Sequence, residues 1–295
     1  VFPATYEYLR AGSIDEAVAA LAEDPDETRI LAGGQSLIPM MKLRFAYPER
    51  LVDINGLHEL AYVRRENGHV AVGALARHAD IVASDDVTGA VASAAPWVAD
   101  PLVRNRGTLV GSVAHCDPEG DWNSVLLATG ATVVAQGPNG RREIDITDFI
   151  VGLFENSLDE GEMVVEVRIP VPSGPSGGVY NKLERKIGDY ATVGVATHLE
   201  LADDGTIAAA GIGLTSVVPY ATKVTEAEEM LVGQMPTEEL FADAASATAA
   251  ASNPHTDVRG TEKWKRNIVD VYTRRGLASA LDQAHASEPT TGSTA

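Results

Sequence analysis

The stretch "RILAGGQSLIPMMKLRF", Arg29 to Phe45, sets the architecture of the first part of the chain. A short apolar run enters the pair Gly33-Gly34, passes through Gln35 and Ser36, and continues as an apolar run with helical spacing. "RILAG" reads as a buried strand and "SLIPMMKLRF" as a helix, with Ser36 at the N-cap and Pro39 in the first turn. A strand, a bare-backbone turn and a new helix in that order expose backbone N–H groups to an anion, most commonly phosphate. A purely structural turn uses glycine too, so this stretch alone leaves both readings open.

Upstream, "SIDEAVAALAE" places Ser13 three residues before Glu16 and puts Ile14, Ala17, Val18 and Leu21 on one face, which predicts a capped amphipathic helix. Downstream, "RLVDI" predicts a strand, so residues 1–56 read as a small α/β unit. Between 57 and 175, "HVAVGALA" reads as a strand and "VTGAVASAAPWVA" as a helix. "DPLVRNRGTLVGSVAHCDPEGD" follows as a loop, then "WNSVLLATG" as a helix. "ATVVAQ" and "REIDI" flank Gly137-Pro138-Asn139-Gly140, a hairpin signal, and "EMVVEVRIPV" alternates as a strand.

"PSGPSGG", Pro172 to Gly178, is all turn formers and reads as a linker. Beyond it three strands, "VYNKLERK", "ATVGVATHLELA" and "TIAAAGIGL", precede three helices, giving an α+β unit over 178–284 with a three-stranded sheet backed by helices. The small, polar end of the chain, 285–295, reads as a disordered tail.

The chain has 295 residues, a net charge of −19 and a pI near 4.7, which disfavours nucleic acid and anionic membrane surfaces as partners. Cys116 is the single cysteine, so no intrachain disulfide forms, and an iron–sulfur cluster with its roughly four thiolates needs another subunit. No apolar run approaches the roughly 20 residues of a membrane span, and no signal core follows a basic N-terminus, so a cytoplasmic protein is expected.

"RNRGTLVGSVAHCDPEGD", Arg104 to Asp121, offers a second set of glycines, Gly107 and Gly111, beside the hydroxyls of Thr108 and Ser112, and ends in a carboxylate before a helix. Two such loops suggest a ligand with two phosphates gripped from both sides. G-x-G-x-x-G, the P-loop, C-x-x-C and H-E-x-x-H are absent, and neither Ser36 nor Ser112 has G-x-S-x-G context, which leaves no support for a Rossmann NAD site, a P-loop ATPase, a zinc site or a serine nucleophile in these loops. Cys116 reads as a buried thiol, and Arg104 and Arg106 as candidates for phosphate or partner contact.

Together with "YNKLERKIGDYATVGVA", these two loops resemble the flavin-binding subunits of molybdenum hydroxylases, most closely the medium subunits of aerobic carbon monoxide dehydrogenases. The resemblance runs from Phe2 to about Ala284. It implies an N-terminal, two-part FAD-binding domain of the vanillyl-alcohol-oxidase/PCMH type over 1–175 and a C-terminal domain of the CO dehydrogenase flavoprotein type over 178–284. It implies that Ala32, Gly33, Gly34, Gln35, Ser36 and Leu37 lie on one side of the FAD pyrophosphate, and Thr108, Leu109, Val110, Gly111 and Ser112 on the other.

Val110 departs from the pattern: it stands at the first glycine of the family's pair, and a β-branched residue does not readily take positive φ. Asp121 matches a carboxylate at the nucleotide end of FAD, although its position also suits an N-cap. Val164 matches a strand residue near the flavin, where a plain core valine is the alternative. Lys182 matches a lysine beside the isoalloxazine, where an exposed strand lysine is the alternative. Tyr190 matches an aromatic against the flavin ring, where a half-buried strand tyrosine is the alternative.

The resemblance further implies that substrate is oxidised elsewhere: on a large subunit with a molybdenum cofactor, wired through a small subunit with two [2Fe–2S] clusters to the FAD of this chain. A dimer of heterotrimers is the implied assembly, passing electrons to a quinone-linked acceptor at the membrane. Subunits of xanthine, nicotinate or aldehyde oxidising enzymes share these motifs. A non-redox nucleotide-binding module is the reading from outside the superfamily.

Overall fold

The computed structural model describes residues 2–287. The N-terminal unit is a parallel sheet of β1 (Glu7–Arg10), β2 (Thr28–Leu31) and β3 (Arg50–Asp53), in the order β1-β3-β2, with α1 (Ile14–Glu23) and α2 (Leu37–Leu43) as crossovers. Ser13 caps α1 by accepting from the Glu16 N–H at 3.1 Å, while the Glu16 carboxylate reaches back to the Gly12 N–H at 2.7 Å. The expected box therefore closes one residue early. Such a cap contributes about 1 kcal/mol.

Next come β4 (Val63–Glu66), β5 (His69–Gly73), α3 (His78–Ala83), α4 (Gly89–Ala94), α5 (Pro101–Arg104), α6 (Leu109–His115) and α7 (Asp121–Thr129). They are followed by β6 (Thr132–Gly137), β7 (Gly140–Asp145), α8 (Ile146–Phe149), the two-stranded β8 (Ile150–Gly152) and β9 (Glu155–Asn156), and β10 (Met163–Pro170). β4, β5, β10, β6 and β7 form an antiparallel sheet in that order. The predicted β6–β7 hairpin turns at Pro138-Asn139, with Gly137 paired to Gly140. The segment read as one long loop, 100–121, holds two short helices: Asp100 caps α5 and Thr108 caps α6 with their side chains.

The last unit is an antiparallel sheet of three long strands, β11 (Ser176–Leu183), β12 (Val193–Leu201) and β13 (Ile207–Thr215), extended by the two-residue β14 (Thr222–Lys223). Helices α9 (Thr225–Leu231), α10 (Glu238–Ala251) and α11 (Glu262–Ser287) follow. Residues 285–287, expected in the tail, complete α11; the remainder of that expected tail, 288–295, lies outside the described residues.

The linker is shorter than its composition suggests, because Ser176 to Gly178 already belong to β11. Gly177 lies against the Ala280 carbonyl of α11, and Gly178 against the Ala90 backbone of α4, on the opposite face. This sheet is thus covered on one side by its own helices and on the other by helices from the first half of the chain. The closest approach is at α7: a Cβ on Gly211 or Gly213 would fall 1.8 Å from the Ala128 carbonyl or 2.0 Å from the Ser124 carbonyl. Only glycine lets α7 lie directly on β13. Tyr180 and Ala196 of this sheet are accordingly part of the apolar core of the first half, while Leu199, Ile207, Val269 and Leu277 belong to a second core under α10 and α11. Among the described residues no helix is long and apolar enough to cross a membrane.

Candidate functional site

A groove of about 820 Å³ runs between the three units, and both glycine turns line it. At one end Gly161 abuts Ala22, and Pro25, Ile30, Leu158 and Val164 make an apolar wall. At the other end Gly188 abuts Ala99 and Asp100, and Asp121 and Tyr190 line the groove. An open hollow lined by Ala249 of α10, Thr256 of the connection after it, and Lys263 and Asp270 of α11 contains neither turn.

The two glycine turns meet through the glycines themselves. A Cβ on Gly33 would fall 2.5 Å from the Arg106 carbonyl oxygen and 2.7 Å from the Gly107 Cα, so the backbones are in contact. Gly34 has φ +72°, a conformation that L side chains rarely adopt. Together they turn the chain so that the N–H groups of Gly33, Gly34, Gln35 and Ser36 donate to no protein acceptor among the described residues. Ser36 occupies the N-cap position of α2, yet its backbone is helical (φ −101°, ψ −52°) and its hydroxyl makes no capping bond, contrary to expectation. Ala32 is fixed from behind by Asn55, whose Nδ2 donates to its carbonyl at 2.8 Å. Arg77 joins the turns, donating to Asn55 Oδ1 at 2.6 Å and to the Arg106 carbonyl at 2.7 Å.

On the other wall, Thr108 Oγ1 accepts from the Gly111 N–H at 3.0 Å, and a Cβ on Gly111 would fall 2.7 Å from that oxygen. Val110 is the second residue of α6, is 2 % exposed and has no positive φ. Its β-branch therefore conflicts with nothing, and the backbone question raised by the sequence resolves in favour of helix. Leu109 is fully buried and does not line the groove, whereas Ser112 lines it with a hydroxyl that bonds to no protein group among the described residues. Four free N–H groups, free hydroxyls at Ser36 and Ser112 and contacting bare backbones form a cradle that fits a diphosphate. Arg104 is occupied by the Val98 and Ala99 carbonyls at 3.0 and 2.7 Å.

Asp121 is the first residue of α7 and not its cap, a place held by Gly120. Its buried carboxylate accepts from Tyr180 Oη at 2.6 Å and from Lys182 Nζ at 3.1 Å. The Lys182 side chain is 1 % exposed, which removes the exposed-lysine alternative; it also donates to the Trp97 carbonyl at 2.9 Å and lies 3.4 Å from Glu184 Oε2. Burial pushes the Asp121 carboxyl up, and Lys182 and Tyr180 oppose that shift. Since Asp121 and Lys182 touch, they act at one place; the expectation that they serve opposite ends of an extended dinucleotide does not survive this geometry. Val164 is 6 % exposed and sits where β10 bulges against β6. Tyr190 is in the turn between β11 and β12, 47 % exposed on the rim, and not in a strand.

Sequence reading passed over Asn55, Arg77, His78, Trp122, Tyr180 and Glu184. Tyr180 and Lys182 alternate along one face of β11 and Glu184 continues the spacing just past its end, a period-2 signal that was available. His78 and Trp122 are 44 residues apart and bear no local signature.

Residues 4–172 match the family model described as the FAD binding domain in molybdopterin dehydrogenase, and residues 178–280 match the CO dehydrogenase flavoprotein C-terminal domain. The chain belongs to this flavoprotein family. The carbon monoxide dehydrogenase medium chain of Hydrogenophaga pseudoflava is 38 % identical over 95 % of this chain and 98 % of its own length. Subunit alpha of the 6-hydroxypseudooxynicotine dehydrogenase complex of Paenarthrobacter nicotinovorans is 35 % identical over 96 % of each. Among solved structures, the Hydrogenophaga pseudoflava carbon monoxide dehydrogenase lacking the Mo-pyranopterin moiety of its molybdenum cofactor aligns with TM-score 0.91 and 40 % identity, over 96 % of this chain and 99 % of that one. This chain is thus the FAD-binding medium subunit of an oxidoreductase of the molybdenum hydroxylase type, with the α+β fold that the sequence implied.

Proposed function

We propose that the chain is the FAD-containing electron-transfer subunit of an aerobic carbon monoxide dehydrogenase. FAD accepts electrons singly or in pairs, so it suits a junction between one-electron iron–sulfur carriers and a two-electron, quinone-linked acceptor. The chain itself binds and orients the cofactor. The contact between the Gly33 and Gly107 turns, with the unpaired N–H groups of Gly33 to Ser36, carries the reading. In it the turn of Ala32, Gly33, Gly34, Gln35, Ser36 and Leu37 holds one side of the diphosphate. Thr108, Leu109, Val110, Gly111 and Ser112 hold the other, Leu109 and Val110 by backbone alone.

Val164 and the apolar wall suit one ring system of FAD. Asp121, Lys182 and Tyr190 suit the other, with Lys182 electrostatically balanced by Asp121 and Glu184. Residues 1–175 and 178–284 serve as the two functional domains.

Electrons arrive from a small subunit with two [2Fe–2S] clusters, after oxidation of CO on a large molybdenum subunit, in a cytoplasmic dimer of heterotrimers. The acceptor brings that assembly to the inner face of the membrane. The 35 % identity to a dehydrogenase subunit for a nicotine derivative favours a second reading, in which the partner large subunit oxidises an N-heteroaromatic substrate. Bleaching of the flavin band in the purified complex separates the two. CO is expected to bleach it anaerobically; bleaching by 6-hydroxypseudooxynicotine and not by CO selects the second reading. Absence of stoichiometric flavin overturns both.

A further inference from the structure

His78 opens α3 beneath the junction of the two glycine turns, 5 % exposed and part of the groove wall. Its Nδ1 accepts a hydrogen bond from Trp122 Nε1 at 3.1 Å, and the two rings lie edge to edge with centroids 6.0 Å apart and planes 27° from parallel. An indole N–H is a donor only, so this bond keeps Nδ1 unprotonated and places the imidazole proton on Nε2. Burial, with the Arg104 and Arg77 charges, pushes the imidazole down to about 4, and the ring is neutral at physiological pH.

The Nε2–H has no protein acceptor among the described residues. The edge that carries it faces Gly107: a Cβ there would lie 2.8 Å from both Nε2 and Cδ2. Gly107 in turn contacts Gly33, so the unused donor lies where both turns converge. His78 lines the groove, so this donor is open to an oxyanion bound there, to which it would give a charge-assisted hydrogen bond.

We propose that His78 is a fixed-tautomer hydrogen-bond donor to the diphosphate of the bound dinucleotide, with Trp122 as the positioning residue that holds the proton on Nε2. The proposal rests on the assignment of the glycine turns to the diphosphate. The test uses the full-length protein stripped of flavin and titrated with FAD, ADP and riboflavin, which share the diphosphate and the flavin ring in different combinations. His78→Phe, which keeps a flat ring and removes the donor, is expected to weaken FAD and ADP by about 10- to 100-fold and leave riboflavin unchanged. His78→Gln, which keeps an N–H at a similar reach, is expected to recover most of the loss.

In wild-type protein with ¹⁵N-labelled histidine, the His78 ring shifts should report protonated Nε2 and bare Nδ1, and Nε2 should move when ADP is added. Trp122→Phe should lose that single-tautomer signature. Equal FAD affinity in His78→Phe, equal weakening of riboflavin, or an Nε2 resonance indifferent to ADP overturns the role of His78. Failure of ADP to compete with FAD on the wild-type protein overturns the assignment of the turns instead. The NMR readout needs no variant and stands even where a substitution prevents folding.

Discussion

Lys182 Nζ lies 3.1 Å from Asp121 Oδ2, and the two residues come from different halves of the chain, β11 and the start of α7. The pair is almost wholly buried, and Tyr180 on the same strand face donates to the other carboxylate oxygen at 2.6 Å. The end of the groove is therefore built jointly by both family domains, and its charge is fixed by an interdomain contact.

Removing the cation alone leaves Asp121 and Glu184 without their shared partner. Lys182→Met is expected to destabilise the protein by about 3–5 kcal/mol, and Lys182→Met with Asp121→Asn by clearly less. Tyr180→Phe should cost about 1–2 kcal/mol. Urea midpoints of the three variants measure this; equal losses in the single and double variants would contradict it.

The seating of α7 on β13 depends on backbone contact. Gly213→Ala puts a methyl 2.0 Å from the Ser124 carbonyl, which must move, and overpacking of this kind costs about 1–3 kcal/mol. Flavin content should fall with it, since Asp121 shifts from Tyr180 and Lys182. Ala208→Ser, at an exposed position of the same strand, should change stability by less than about 0.5 kcal/mol. Thermal melts and the flavin-to-protein absorbance ratio report both.

At Gly34, φ is +72° and a Cβ would meet Ile38 and Leu31 at 3.2 Å. Gly34→Val is expected to retain less than about a tenth of the wild-type flavin while circular dichroism still shows a folded chain, because a β-branched residue cannot hold the turn that aims the free N–H groups. Near-normal flavin content would remove the turn from the binding site.

Arg142 holds the Glu162 carboxylate through bonds at 2.8 and 2.7 Å and keeps it below the usual carboxylate range. A carboxyl whose folded pKa lies below its unfolded value adds stability above the unfolded pKa of about 4.3, and that stability disappears as pH falls through the folded value. Arg142→Gln should therefore be less stable than wild type by about 1 kcal/mol at pH 7, with the difference closing in strong acid. Denaturation midpoints between pH 7 and pH 3 follow it; a gap that widens on acidification would refute it.

Cys116 is 1 % exposed, its thiol donates to the Val113 carbonyl, and burial pushes it up to about 12. A thiol of that kind reacts with disulfide reagents only through unfolding. No labelling is expected in native buffer and one equivalent in denaturant; rapid native labelling would show an accessible thiolate.

Several local features were legible before any coordinates because they depend on neighbours in sequence. The Ser13 cap, the Pro138-Asn139 hairpin and the existence of strand β10 each follow from a few adjacent residues, whereas the alternation expected of β10 is absent because Met163 to Val167 are all buried. The loop reading of 100–121 missed two short helices, since Asp100 and Thr108 cap runs of only 4 and 7 residues, too short for periodicity to register. Gly177 and Gly178 looked like linker because glycine signals turn and close packing alike; only the positions of Ala280 and Ala90 distinguish the two.

By itself, the sequence determined the two glycine turns, their resemblance to a flavoprotein family and the absence of thiolates for a metal cluster, because composition and short motifs act through local backbone chemistry. The tertiary structure decided that Gly33 touches Gly107, that Asp121 is answered by Lys182 and Tyr180, and that Trp122 fixes the proton of His78. Those relations join residues separated by tens of positions, and they arise only when α7 settles on a sheet stripped of side chains at Gly211 and Gly213.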